Sequence, residues 1–306
     1  LSSKNPARLQ LGWPKRFLVR ILHVYFAVSR GMTLGVRAAC FDDAGRIFLV
    51  RHTYVPGWHL PGGGVERDET VMEALANNPI QPGIKAVFFV QTRAPRAGGS
   101  ERGRKTMVRE HAAGHILAFH TATPWHTNHR SLDPQELEQS LSWGTADIQA
   151  ITGTAPTLVR PPFWSYDKRT FAAYQRHGLH VLLTDLSAND GKVWGITASP
   201  RRRANLLRQL SETRERIAKG ELPAVDGVIP VVVTFHDLNR YTARHMQEYL
   251  QILLDSAHET HVPLAPQPFY QDSAALQRAA MARTLHEAGD PVRLPGLWNW
   301  IWGHKD

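Results

Sequence analysis

The sequence predicts an α/β protein, and three observations carry that reading. Apolar runs that read as buried strands recur at 84–90, 181–184 and 228–235. Between them lie stretches of helical periodicity, at 134–151, 168–177 and 201–219. Such alternation belongs to α/β layers or barrels, whereas a sandwich would show strands alone. Ahead of this pattern stands a shorter β-rich segment with its own turn chemistry.

That first segment begins after a stretch, residues 16–28, in which Arg20 and His23 interrupt a run of apolar residues. The run is too short to span a bilayer and has no small-residue cleavage site after it, so a helix packed on the domain is expected there. Residues 35–41 form an apolar run, Asp42-Asp43-Ala44-Gly45 is turn chemistry, and residues 46–51 form a second apolar run. The expectation is a hairpin. A glycine-rich loop, Leu60-Pro61-Gly62-Gly63-Gly64-Val65-Glu66, then leads into Thr70-Val71-Met72-Glu73-Ala74-Leu75-Ala76, whose apolar residues have helical spacing.

Composition narrows the class. The chain has 306 residues, enough for two ordinary domains or one large barrel, with 42% hydrophobic and 21% charged residues, which excludes collagen-like and disordered chains. Its single cysteine, Cys40, makes no internal disulfide, and a reduced, cytoplasmic setting is the expectation. Thirty-six Lys and Arg against 27 Asp and Glu give a charge of +9, a field that attracts many anions and names no partner. The basic stretch holding Arg93, Arg96, Arg102, Arg104, Lys105 and Arg109 reads as a solvated loop. No nucleic acid is expected as a partner, no transmembrane segment is expected, and the oligomeric state is open.

Histidine is the strongest local anomaly. Of 16 in the chain, five fall within residues 111–129: His111, His115, His120, His126 and His129. Imidazole clusters suit zinc and related divalent ions, and three protein ligands with an open position make a catalytic site. His111 and His115 sit four apart, but Gly114 between them and the lack of a Glu after His111 leave them structural.

Two family resemblances rest on these residues. Trp58 to Glu66, with Gly63 and Glu69 in the first two places of the signature, resembles the Nudix hydrolases. That resemblance implies a Mg²⁺-dependent diphosphate hydrolase, of which Gly63, Glu66 and Glu69 are the remnant. Asn77-Asn78 stands where the signature has Arg-Glu, and Gln81-Pro82 where it has its metal-binding Glu pair. Mg²⁺ needs hard oxygen ligands, and prolines at 79 and 82 break the helix that would carry them.

From residue 77 onward the chain resembles the polysaccharide deacetylases of the carbohydrate esterase type. The carrying blocks are residues 83–90, the Gly-His-…-His-Thr segment at 114–121, Asn128-His129-Arg130-Ser131-Leu132, Arg160-Pro161-Pro162-Phe163-Trp164, residues 184–190 and Val233-Thr234-Phe235-His236-Asp237. The resemblance implies a distorted (β/α) barrel and metal-dependent removal of N-acetyl groups from a carbohydrate. It implies His120 as a metal ligand, with His129 as the second and His126 as its rival, since the usual place four residues on is Pro124. It further implies His236 as the acid that protonates the leaving amine, Asp190 as its orienting partner and Arg160 as a positioning arginine. The metal is expected to be divalent, zinc under this reading and magnesium under the Nudix one.

The deacetylases' first motif, Thr-Phe-Asp-Asp-Gly, is missing where it should precede Gly83. Asp42 and Asp43, at the end of an apolar strand, are the one lookalike. The expected organisation is therefore 1–76, an N-terminal helix plus a partial Nudix-like segment, and 77–306, a deacetylase-like domain without its first motif. Both signatures stop near Ala76, which points to a chimera and leaves a catalytically inactive glycan-binding protein as a further alternative.

Overall fold

The computed structural model describes residues 35–37, 62–64, 71–188, 190, 202–236, 240–292 and 294–295. The chain divides into two compact units, Leu1–Asp68 and Glu69–Asp306. In the first, β1 (Gly35–Arg37) pairs antiparallel with β2 (Gly62–Gly64), Gly35 opposite Gly64 and Arg37 opposite Gly62. The glycine run expected as a loop is thus a strand, because glycine lets another backbone approach closely. The expected helix around residues 16–28 and the strand at 46–51 lie outside the described residues.

The second unit opens with α1 (Val71–Asn77). Val71, Ala74 and Leu75 bury one face of it against Ile84, Ala243, Met246 and Leu250. Four parallel strands follow in sequential order: β3 (Val87–Gln91), β4 (Ile116–Thr121), β5 (Leu158–Val159) and β6 (His180–Val181). Three helices make the crossovers, α2 (Glu101–Ala112), α3 (Pro134–Thr152) and α4 (Lys168–Arg176). Strand–helix–strand alternation is what the sequence pattern predicts, and the helices expected at 134–151, 168–177 and 201–219 are found at 134–152, 168–176 and 202–218.

One expectation is corrected. Residues 101–112, read as part of a basic loop, form α2: the Ser100 hydroxyl accepts the Gly103 N–H at 3.0 Å and caps it. Arg, Lys and Glu are good helix formers, and with only Met107 and Glu110 buried the helix shows almost no apolar stripe.

α3 shows the opposite case. Asp133 accepts the Glu136 N–H at 2.8 Å while the Glu136 carboxylate accepts the Asp133 N–H at 3.1 Å, a reciprocal cap with Pro134 at the first helical position. Its buried stripe is Leu137, Leu141, Gly144 and Ile148. Gly144 lies against the Phe119 ring so closely that a Cβ would stand 2.0 Å from Phe119 Cε2. The helix therefore seats directly on β4, and β4 carries His120.

Beyond β6 come β7 (Leu186–Ser187), α5 (Arg202–Ala218), β8 (Val233–Thr234), α6 (Arg240–Arg244), α7 (Met246–Glu259) and α8 (Ser273–Ala282). β7 and β8 are parallel, Leu186 opposite Val233 and Ser187 opposite Thr234. Two-residue strands make few ladder bonds, and a buried carboxylate reinforces this pair. Asp185 accepts the Val232 N–H at 2.8 Å and pairs with Arg216 at 2.8 Å and Arg283 at 2.6 Å. Among the described residues of the second unit the strands form a four-stranded and a two-stranded parallel sheet. No described helix is long and apolar enough to cross a membrane.

Candidate active site

The residues of interest sit at or just beyond the C-terminal ends of parallel strands, where α/β proteins place their ligands. His120 is the penultimate residue of β4, Arg160 follows β5, Asp190 follows β7 and His236 follows β8.

His120 is fixed from behind. Its Nδ1 lies 2.6 Å from the Arg160 carbonyl oxygen, which only accepts, so Nδ1 carries the hydrogen and Nε2 keeps its lone pair. That Nε2 faces His126 Nε2 at 2.8 Å. Burial, then the neighbouring His126, hold His120 well below the usual imidazole range. Burial, then His236, lower His126. Both rings are neutral at pH 7, the state in which imidazole binds a cation. The Phe163 ring lies 4.6 Å from His126, centroid to centroid.

His129 goes elsewhere. Its ring is fully buried and stacked on Phe119 at 6.0 Å, with Nδ1 2.9 Å from the Tyr174 hydroxyl. Its Nε2 has no hydrogen-bond partner among the described residues, and burial drives its pKa to about 3. Of the two histidines weighed as the partner of His120, the structure brings His126 onto its Nε2 and puts His129 in the core.

Arg160 ties the two halves together. Its Nε–H donates to the Leu182 carbonyl at 3.2 Å, one terminal nitrogen donates to the Leu183 carbonyl at 3.2 Å and the other to Thr234 Oγ1 at 3.0 Å. The guanidinium lies 4.1 Å from the Phe89 ring centroid and 5.2 Å from that of Trp164. Burial lowers its pKa to about 9. No described carboxylate forms an ion pair with it. Both Phe163 and Trp164 have φ of 60°, a left-handed conformation that bulky residues rarely adopt and that marks strain at functional sites.

Across from the imidazole pair, Asp190 holds His236. The carboxylate is fully buried and the imidazole half exposed. Asp190 Oδ1 is 2.8 Å from His236 Nδ1, and Oδ2 accepts the His236 backbone N–H at 2.9 Å and the Thr242 hydroxyl. A carboxylate on Nδ1 places the hydrogen there and leaves Nε2 as the exposed, proton-exchanging atom. Thr242 and Tyr174 carry no sequence signal of their roles, since each reaches its partner through tertiary packing alone.

The donor set suits a divalent cation in part. Two imidazole Nε2 atoms converge, one oriented by a carbonyl on its other nitrogen as metal-bound histidines are. Among the described residues no group of three His, Cys, Asp or Glu gathers into a metal cage. Gly63 lies in β2, while Asp42, Asp43, Glu66 and Glu69 lie outside the described residues.

Comparison with known proteins agrees with the sequence resemblances. The polysaccharide deacetylase family matches residues 58–182 and the NUDIX domain family residues 31–76, so 58–76 are shared. No curated protein sequence matches the chain. Similar solved structures include a family 4 acetyl xylan esterase from Clostridium thermocellum in complex with a cobalt ion (21% identity, 58% of this chain and 72% of that one, TM-score 0.38). A chitin deacetylase from Colletotrichum lindemuthianum is 20% identical over 65% of this chain and 78% of its own, with a TM-score of 0.45. A family 4 carbohydrate esterase from Streptomyces lividans in complex with acetate is 17% identical over 64% and 84%, with a TM-score of 0.42.

Proposed function

We propose, from the premise that residues 58–182 carry a polysaccharide deacetylase domain, that this chain hydrolyses N-acetyl groups on a carbohydrate. The observation that supports this most is the presence, at the C-terminal ends of parallel strands, of one imidazole–imidazole pair and one imidazole–carboxylate pair. His120 Nε2 accepts the His126 Nε2–H at 2.8 Å, a hydrogen a bound cation would displace, and His236 is backed by the buried carboxylate of Asp190.

In this reading His120 and His126 hold a divalent metal, zinc by the chemistry of imidazole donors. Such a cation, when bound, supplies a Lewis acid for the amide carbonyl and acidifies water. The Arg160 carbonyl keeps His120 Nδ1 protonated and its ring aimed. His236 gives the proton on Nε2 to the leaving amine, while Asp190 on Nδ1 stabilises the imidazolium before transfer. Among the described residues no carboxylate completes the donor set. Arg160, with bonds to Leu182, Leu183 and Thr234, keeps the ends of β5, β6 and β8 in register. The parallel sheets read as parts of one distorted barrel, since the Leu182 N–H still bonds Val159 at 2.9 Å while the Asp185 and Leu186 N–H groups bond Val232.

The Nudix reading is not favoured: its match ends at residue 76, before the positions of the missing Glu pair. The buried face of α1 packs within the second unit, Glu69–Asp306, and the join between the two segments is still placed near Ala76 in this reading. The test is acetate release from an N-acetylated chitooligosaccharide by the zinc-supplemented full chain, beside a nucleoside diphosphate. Acetate without phosphate release supports the reading; phosphate release alone overturns it.

A further inference from the structure

A threonine hydroxyl on or beside a helix commonly returns to a carbonyl of its own chain segment. Buried Thr213 donates to the Gln209 carbonyl at 2.9 Å and buried Thr284 to the Met281 carbonyl at 2.7 Å. Thr242 on α6 differs. Its side chain is fully buried, and its hydroxyl donates to Oδ2 of Asp190, 52 residues away in sequence. The same Oδ2 accepts the His236 backbone N–H at 2.9 Å, while Oδ1 meets the His236 ring at Nδ1. Two donors on one oxygen, brought from the end of β8 and from α6, fix the plane of the carboxylate. A single donor there would leave it free to turn about Cβ–Cγ and carry Oδ1 away from the imidazole.

The helix that delivers this hydroxyl is itself pinned. Ala243, next to Thr242, is buried with Met246 and Leu250 of α7 against Val71, Ala74 and Leu75 of α1. Phe235, the residue before His236, packs on the same cluster and meets the Tyr249 ring at 5.3 Å, centroid to centroid. The half-exposed imidazole of His236 is thus carried between two anchored points, and Thr242 joins the second of them to Asp190.

We propose that Thr242 is a positioning residue for His236: its hydroxyl locks the Asp190 carboxylate in the orientation that presents the imidazole Nε2 to the leaving amine. This rests on the deacetylase reading. A hydrogen bond to a carboxylate is stronger than one between neutral groups, and valine, which has the shape of threonine, cannot supply it. The bond matters when the proton moves, so its loss falls on kcat and not on KM.

The test compares the zinc-loaded full chain with T242V, T242A and T242S on N-acetylated chitotetraose, and records nitrogen NMR spectra of the histidine rings in the metal-stripped proteins under mildly alkaline conditions. T242V is expected to lower kcat about 10-fold, the order of one hydrogen bond to a charged group, with KM and bound zinc changed less than about twofold. T242A removes the hydroxyl by a second route and should match T242V, whereas T242S, which keeps it, should recover most of the loss. The ring spectra should show His236 protonated at Nδ1 in wild type and T242S and a mixture of tautomers in T242V. Wild-type kcat with an unmixed His236 ring in T242V would overturn the proposal. So would a T242S protein as impaired as T242V, since the effect would then belong to packing of the methyl group. If no protein releases acetate, the deacetylase reading fails, and the ring spectra still decide whether Thr242 fixes the Asp190–His236 pair.

Discussion

Asp190 grips His236 at two atoms at once, its Oδ1 on the ring Nδ1 at 2.8 Å and its Oδ2 on the backbone N–H at 2.9 Å. The carboxylate is sealed from water while the imidazole is half exposed, so the pair joins a fixed base to an accessible one. An Asp190→Asn exchange keeps the shape and removes the charge that stabilises the imidazolium. It should lower kcat for acetate release about 10²–10³-fold with KM nearly constant. Wild-type kcat in this variant would remove His236 from the proposed chemistry.

Metal content separates His126 from His129. Dialysed His126→Ala protein should lose its bound divalent metal, because one of two convergent Nε2 atoms is gone. His129→Gln should keep the metal and lose thermal stability, since its ring is a buried core group bonded to Tyr174. The reverse pattern in elemental analysis would favour His129 as the second ligand, as the family resemblance implies.

Asp185 predicts a stability effect. Its carboxylate meets Arg216 and Arg283, whose side chains are only 15% and 11% exposed. Asp185→Ala strands two cations and frees the Val232 N–H, and breaking such a buried cluster costs about 3–5 kcal/mol. Urea unfolding gives the figure, and a loss below 1 kcal/mol would show that the cluster relaxes into water.

A pH prediction follows from His115, which lies outside the site. Its Nδ1 accepts the Ala86 N–H at 3.0 Å, and burial, then Lys85, lower its pKa from 6.5 to about 4. The folded state holds this ring neutral while the unfolded chain takes up a proton below pH 6.5. Stability contributed by the neutral ring is therefore present above pH 6.5 and lost as pH falls from 6.5 towards 4, by up to about 3 kcal/mol. His115→Asn, whose side-chain oxygen can accept the same N–H, should flatten the urea midpoint against pH by about one proton in that window.

Much of the second unit was legible in the sequence because its signals are local. The helix at 134–152 announces itself by Asp133, Pro134 and Glu136, and the strand at 87–91 by an unbroken apolar run. The helix at 101–112 hid because its charged residues leave no apolar stripe to read. Asp190 and His236, 46 residues apart, enter through the family resemblance of the blocks at 184–190 and 233–237, and the structure places them in contact. His126 meets His120 because the loop after β4 folds back, and spacing does not encode that fold-back. His129 instead satisfies the hole between Phe119 and Tyr174.

Acetate release from N-acetylated chitotetraose by the metal-loaded full chain, with His236→Asn measured beside it, tests the deacetylase reading most directly. Steady acetate production by the wild-type chain, reduced at least about 10²-fold in the variant, is the predicted result. Metal bound but no acetate released, or equal release by both proteins, would contradict it.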